Sequence, residues 1–589
     1  MNYRYAAVIN KIFPFLEWMP QLKNREVLRA DFVAGLTVAL VLIPQSMAYA
    51  QLAGLPVQFG LYIAFLPVLV AALWGSSRQL ASGPVAVVSL LTATALAPMV
   101  GGTALSHPEL ASTYIALAMF MSLLVGLFQL SLGVFRLGVV VNFLSHPVIV
   151  GFTNAAALVI GLSQLSKIFG VKMPGDAGDH FLHRIWGVLQ QIGDTHIPTL
   201  IMGLSALLAM WLLRKHAPKL PGVLIVVASS ILISWGINFE AVFNGAVVGS
   251  VPEGLPTLGM PEISVEKALN LLPSAMVIAL IGFVEAISIA KVMAAKTKDR
   301  LDPNQELIGQ GLANIVGSFS QSYPASGSFS RSAVNINSGA RTGFSSVVTA
   351  LLVVITLLFL TPLLYHLPQA VLAAVIMMAV VNLINITAVK HAWRAQKHDG
   401  IAAVVTFCFT LGFAPHLDKG IMFGTGLALG LYLYRTMKPR VALLGRYPDG
   451  TLRDLSVNPG LPTDENIIVL RFDGSLYFAN VSYFEDTILE AVSGHKQAKY
   501  ILVVGDGINQ LDASGEDMLH HLIESLRDNG ITLVFSGLKK QILDVMHRTH
   551  LFEILGQQNL FATENMALKD IYRRLEKTGS DAVLLPANV

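Results

Sequence analysis

Charge is scarce in this chain. Only 13% of its 589 residues are Asp, Glu, Lys or Arg, while 54% are hydrophobic. A soluble domain carries about a quarter charged residues, so this composition belongs to a membrane protein. Cysteine is nearly absent. The single Cys408 excludes an internal disulfide framework, and its setting in "VVTFCFTLGF" reads as a small buried hydrophobe. No thiolate-rich metal spacing occurs, no Gly-Lys-Ser/Thr follows "GDGINQLDASG" to make a P-loop, and no catalytic constellation appears. An enzyme, a cofactor and a metal site are therefore without support. No basic tract is present and the net charge is +3, which gives nucleic acid nothing to bind. Residues 1–30 are too charged for a cleaved signal peptide and lack a small-residue cleavage site. They read as a cytoplasmic, partly interfacial segment.

What is present is a series of apolar runs between residues 31 and 435. About fourteen segments of spanning or near-spanning length are expected: 31–53, 58–74, 83–98, 112–134, 146–169, 197–214 and 220–236, then 266–295, 304–320, 328–339, 344–365, 368–384, 400–415 and 419–435. Lys23, Arg25 and Arg29 precede the first; Arg435, Lys438, Arg440 and Arg446 follow the last. Both basic flanks should be cytoplasmic, which requires an even number of spans.

The third and tenth segments are short and carry a weak repeat. "LASGPVAVVSLL" begins at Leu80 and "PASGSFSRSAVN" at Pro324, so Ala-Ser-Gly stands at 81–83 and 325–327. Seven segments separate the two copies, which orients the halves oppositely. Short, Gly/Pro-interrupted segments at matching positions of two halves point to a transporter's binding site. Irregular backbone at membrane depth is tolerated where it lines a cavity, and two half-helices starting there aim their free N–H groups at an anion. Arg331, in the first turn of the second, adds a full charge at a cost of roughly 3 kcal/mol or more. The plainer alternative is a surface loop with Arg331 snorkelling to headgroups.

These residues carry a family resemblance. "LIPQSMAYAQLAGLPVQFGLYIAFLPVLVAALWGSSRQLASGPVAVVSLL" (42–91), "FVEAISIAKVMA", "LDPNQELIGQGLANIVGSFSQSYPASGSFSRSAVNINSGARTGFSS" and "VVNLINITAVKHAW" resemble the sulfate permease family from about residue 20 onward. The resemblance implies two inverted seven-helix repeats, forming a core and a gate domain, and a homodimer in a bilayer, in bacteria the inner membrane. It implies an anion held between the third and tenth helices and moved by an elevator-like shift. The site would use the backbone at Val85, Ser330 with its N–H, and Arg331. Gln45 and Tyr49 would line the cavity, with Phe329 beside it. For Gln45 and Tyr49 the alternative is ordinary helix packing.

Glu285 lies in "SAMVIALIGFVEAISIAKVM", a run otherwise nearly free of charge. An intramembrane carboxylate is a functional candidate, here for proton coupling; a static pair with an arginine is the alternative. Sodium-coupled bicarbonate carriers of the family place a hydroxyl residue one turn after an Asp at this position. Here Ile289 stands there and offers no side-chain oxygen, which favours protons, although Ser288 is near.

From about Asn466 "IIVLRF", "YILVVGD" and "ITLVFSG" read as buried strands, alternating with helices near 480–494, 513–529, 538–548 and 564–577. Residues 466–589 thus form an α/β domain with its tail, resembling a STAS domain, and 436–465 read as a linker after the transport domain, 31–435. "LDASGEDML" matches the loop where anti-sigma-factor antagonists carry a phosphorylatable serine. Ser514 there is a regulatory candidate or simply a helix N-cap.

The reading is a secondary transporter of a small oxyanion, sulfate first, taken up with protons, with the N-terminus and STAS domain cytoplasmic. Rivals are a bicarbonate or dicarboxylate carrier, sodium-coupled or exchanging, and a passive anion channel or a sensor signalling through the STAS domain.

Overall fold

The computed structural model describes residues 12–139, 144–175, 179–217, 220–577 and 581–586. The first eleven residues of the expected interfacial segment lie outside this set. The chain divides into two compact units, Met1–Ala428 and Leu429–Val589.

Every apolar segment expected between residues 31 and 435 holds a helix, the last of them running past the boundary at Ala428. The principal helices are α1 (Arg25–Leu52), α2 (Gln58–Trp74, with a break after Ile63), α3 (Ala86–Val100), α4 (Ala111–Val134), α5 (His146–Phe169), α6 (Ile197–His216) and α7 (Gly222–Gly236). There follow α8 (Val265–Thr297), α9 (Pro303–Phe319), α10 (Phe329–Asn337), α11 (Phe344–Leu364), α12 (Gln369–Val380), α13 (Lys397–Gly412) and α14 (Leu417–Met437). Among the described residues seven helices are long and apolar enough to cross a bilayer. By contrast α10 has only 9 residues. Capping explains several starts. Asn24 accepts from the Glu26 amide at 2.9 Å before α1, and Asp302 accepts from the Asn304 and Gln305 amides before α9, whose first residue is Pro303.

Two groups of helices emerge from the packing. In one, α9 packs on α4 and α2, α8 on α4, and α11 on α1; in the other, α13 packs on α5 and α12 on α6. A Cβ at Gly126 would lie 2.7 Å from the Gly311 carbonyl oxygen, and one at Gly311 would lie 2.6 Å from the Leu130 amide. Glycine therefore lets α4 and α9 touch backbone to backbone. Two further helices, Phe181–Gln190 and Ile386–Ala395, were not among the expected segments. Their charged and apolar residues alternate at helical spacing, so neither stands out as an apolar run. Cys408 is exposed, not buried. An apolar run in a membrane helix does not reveal which face meets lipid.

The second unit holds a six-stranded sheet in the order β4-β3-β5-β6-β7-β8: β3 (Val441–Arg446), β4 (Leu452–Asp454), β5 (Ile467–Phe472), β6 (Tyr500–Val504), β7 (Thr532–Ser536) and β8 (Leu560–Phe561). Strands β5 to β8 are parallel. Ile468, Leu470, Ile501, Val503, Leu533 and Phe535 face α15 (Val481–Gly494), α16 (Ala513–Asp528) and α17 (Lys540–Arg548). Ile467, Val469, Leu502, Val504 and Val534 face α18 (Glu564–Arg574) and the segment carrying Leu584. Both faces are covered, hence the near-continuous apolar strands. The stretch 436–465, expected as a linker, holds two of the strands: β3 pairs antiparallel with β4 and with β5. Its alternation is short and interrupted by Gly and Pro, too little to separate from a loop.

Candidate functional site

The two Ala-Ser-Gly repeats meet. In the first unit β1 (Ser82–Gly83) and β2 (Ser326–Gly327) pair antiparallel, Ser82 opposite Gly327 and Gly83 opposite Ser326. The pair is extended by the Ser328 amide donating to the Ala81 carbonyl at 2.9 Å and the Ala81 amide donating to Ser332 Oγ at 2.8 Å. Antiparallel strands send the chain in opposite directions, so α3 and α10 start at one crossing and leave it on opposite sides. Their first-turn amides have no intrahelical acceptor, and their positive dipole ends face the same region.

Gly83 has φ +133°, a conformation side chains rarely adopt. A Cβ there would lie 3.3 Å from Val68 Cγ2 and 3.4 Å from Arg331 Nη2. The guanidinium of Arg331, the second helical residue after Phe329, therefore reaches across to the start of the other half-helix. Arg331 is fully buried. Among the described residues its Nε, Nη1 and Nη2 have no hydrogen-bond partner. Tyr49, Tyr323 and Glu285 are the titratable side chains whose fields reach it. A buried cation with every donor unsatisfied is costly, and an oxyanion supplies the acceptors that a planar guanidinium fits.

The other expected residues fall as follows. Val85 is the N-cap residue of α3 and is buried. Gln45 is buried with Oε1 unpartnered, and Tyr49 is buried one turn further along α1. Ser330 and Gln45 both line a cavity of about 700 Å³. Phe329 is 56% exposed and is not part of that lining. Glu285 is half-buried on α8, one turn from Gly282, whose carbonyl accepts from Ser326 Oγ at 2.7 Å. No hydrogen bond joins Glu285 to Arg331, whose nitrogens are all free. Ile289 is buried in an apolar cluster with Leu80, Ala286 and Met293, while Ser288 is exposed.

Sequence reasoning missed part of the cavity. Thr37 and Val41 precede Gln45 by two turns and one turn of α1, Val334 and Asn337 continue the face of Ser330 on α10, and Asn382 and Arg214 also contribute. The i, i+4, i+8 spacing of 37, 41 and 45 was the available signal. Also missed were the buried polar residues Glu306, Gln310 and Asn314 of α9, spaced one turn apart.

In the second unit Ser514 is not the cap. Asp512 is, its carboxylate accepting from the Gly515 amide at 2.8 Å and the Phe478 amide at 2.9 Å. The helix begins at Ala513, two residues earlier than a serine cap requires, and Ser514 is exposed in its first turn.

The family models agree with this architecture. Residues 28–406 match the sulfate permease family and residues 458–567 the STAS domain. The chain is 35% identical over 583 residues to sulfate transporter 4.1, chloroplastic, of Arabidopsis thaliana, covering 96% of this chain and 83% of that one. It is 32% identical to a probable sulfate transporter of Mycobacterium tuberculosis, with 94% and 96% covered. The solved structure of SLC26A9 superposes with a TM-score of 0.88 at 24% identity, over 98% of this chain and 96% of that chain. The chain is thus a multi-pass membrane protein with a C-terminal STAS domain, and it belongs to the sulfate permease family, whose members are anion transporters and not enzymes.

Proposed function

We propose that this protein carries sulfate across a membrane by proton-coupled secondary transport, with the anion bound at the crossing of α3 and α10. The observation that carries the reading is Arg331: fully buried, with three unpartnered nitrogens, beside the starts of two opposed half-helices. Relatives named as sulfate transporters support sulfate as the anion. The N–H groups at Val85 and Ser330 share the anion with Arg331, and Gln45, Tyr49 and Ser330 form the approach. The cavity lies on the side from which α1 starts, since Arg214 ends α6 and Asn382 follows α12. The basic flank of α1 makes that side cytoplasmic. Alternating access is an elevator-like shift of the group containing α3, α9 and α10 against the group containing α5, α6, α12 and α13.

Coupling follows from charge. Moving one charge across 100 mV is worth about 2.3 kcal/mol, so a dianion entering an inside-negative cell climbs roughly 4.6 kcal/mol. A co-transported proton on Glu285 offsets part of that and removes a negative field from Arg331. Ile289, packed among apolar side chains, gives sodium no ligand there. The test is radiolabelled sulfate uptake into proteoliposomes with and without an inward proton gradient, competed by bicarbonate, succinate and chloride. Proton-driven accumulation blocked by unlabelled sulfate is expected. Sodium-driven uptake, or bicarbonate outcompeting sulfate, overturns the reading.

A further inference from the structure

Helix α9 contributes no residue to the lining of the cavity, yet it grips both arms of the crossing. Three polar side chains, each more than nine-tenths buried, stand one turn apart along it: Glu306, Gln310 and Asn314. The Glu306 carboxylate accepts from the Ser76 and Ser77 amides at 2.9 Å each, on the segment leading to β1. Gln310 Nε2 donates to Ser82 Oγ, within β1, at 2.8 Å and to Glu306 Oε1 at 3.1 Å. Asn314 clamps the residue before β2 from both sides. Its Oδ1 accepts from the Ala325 amide at 2.7 Å and its Nδ2 donates to the Ala325 carbonyl at 3.2 Å. The same Nδ2 donates to Gln129 Oε1 on α4 at 2.9 Å, and Gln129 Nε2 donates to the Ala279 carbonyl on α8 at 3.0 Å.

We infer that α9 is a strut that sets the spacing of the two half-helices, with Gln310 and Asn314 acting as positioning residues for the anion site. The strut is anchored behind by the glycine contact of α9 with α4, where no slack remains for sliding. Its rungs end on β1 and on the residue before β2, so they hold the arms in register. The amides of α3 and α10 and the guanidinium of Arg331 must converge on one anion, and a shift of a few tenths of an ångström between the arms loosens every contact together. Gln310 reaches β1 directly through Ser82 Oγ and, through Glu306, also braces the Ser76–Ser77 segment that leads to it.

This inference rests on the site proposed above, and the experiment separates the two. Sulfate binding is measured by calorimetry on purified full-length protein for wild type, Gln310→Met, Ser82→Ala, the double variant and Arg331→Ala, with thermal unfolding recorded alongside. Met keeps the length of Gln and loses its donor. Ser82→Ala should weaken binding about 5-fold, the worth of one buried hydrogen bond, and Gln310→Met, which also loses its bond to Glu306, at least as much. The double variant should be no weaker than Gln310→Met alone, because the bond that Ser82→Ala removes is already lost in Gln310→Met. Unchanged affinity in Ser82→Ala, or effects that multiply in the double variant, overturns the strut even if Gln310→Met fails to fold. If those variants weaken binding only in proportion to a lowered melting temperature, the rungs are structural and the inference fails. Full sulfate binding by Arg331→Ala, or none by the wild type, refutes the site itself.

Discussion

Gly83 offers a sharp perturbation, because its role requires two things that glycine alone supplies. Its φ of +133° is closed to side-chain-bearing residues, and holding alanine in such a region costs of order 1–3 kcal/mol. The new Cβ would also press on Val68 Cγ2 at 3.3 Å and on Arg331 Nη2 at 3.4 Å. Val68 is buried in α2 and has little room to retreat. If the strain is relieved by moving β1 away from the anion-binding geometry, the conformational term alone weakens sulfate binding roughly 5- to 150-fold. Leucine at the same position places a branched chain where the guanidinium lies and should abolish binding. The assay pairs calorimetry with initial uptake rates in proteoliposomes, on variants that elute as monodisperse protein. Normal transport by Gly83→Leu would refute the idea that the anion sits against this backbone.

Val85→Ala should leave sulfate affinity within about 2-fold, because the backbone and not the side chain is used; a loss as large as that of Gly83→Ala, read by the same calorimetry, would contradict this. Glu285→Gln should still bind and exchange sulfate but lose stimulation by an inward proton gradient, and full proton-driven accumulation in proteoliposomes would remove Glu285 as the coupling residue. Asp512→Ala should lower the stability of the second unit by about 1 kcal/mol or more, since a cap and a second amide contact are lost, while Ser514→Ala should leave the calorimetric unfolding unchanged. Phosphorylation of Ser514 as a regulatory event requires a detectable phosphoserine and opposite transport effects of Ser514→Ala and Ser514→Asp.

Three residues repeated at 81–83 and 325–327 foreshadowed the paired strands at the centre of the first unit, because glycine and serine are needed wherever two backbones cross at membrane depth. Arg331 was legible for the converse reason: a cation in an apolar stretch is too costly to be idle. The polar rungs of α9 were not singled out. Amides and one carboxylate at helical spacing can serve packing, a pore or a site, and only their partners decide. The cavity wall of Thr37, Val41 and Asn382 went unread because the spacing of 37, 41 and 45 marks one face of α1 without saying whether that face meets water, lipid or protein. Asp512 displaced Ser514 as cap because the choice turns on a two-residue difference in where the helix begins, below the reach of pattern reading. Strand β3 escaped notice because its apolar residues stand between Arg440 and Arg446, in what reads as the basic flank of the last apolar run.

The account turns most directly on sulfate binding by Arg331→Ala and Arg331→Lys. Two charge-assisted hydrogen bonds of about 1.5–3 kcal/mol each make the alanine variant roughly 10²- to 10⁴-fold weaker. Removing a buried, unpartnered charge should at the same time leave the melting temperature unchanged or raise it. Lysine should recover only part of the affinity, since it restores the charge without the planar fork. Calorimetry showing wild-type affinity in Arg331→Ala would contradict the central claim. So would a loss of affinity that merely tracks a loss of folded protein.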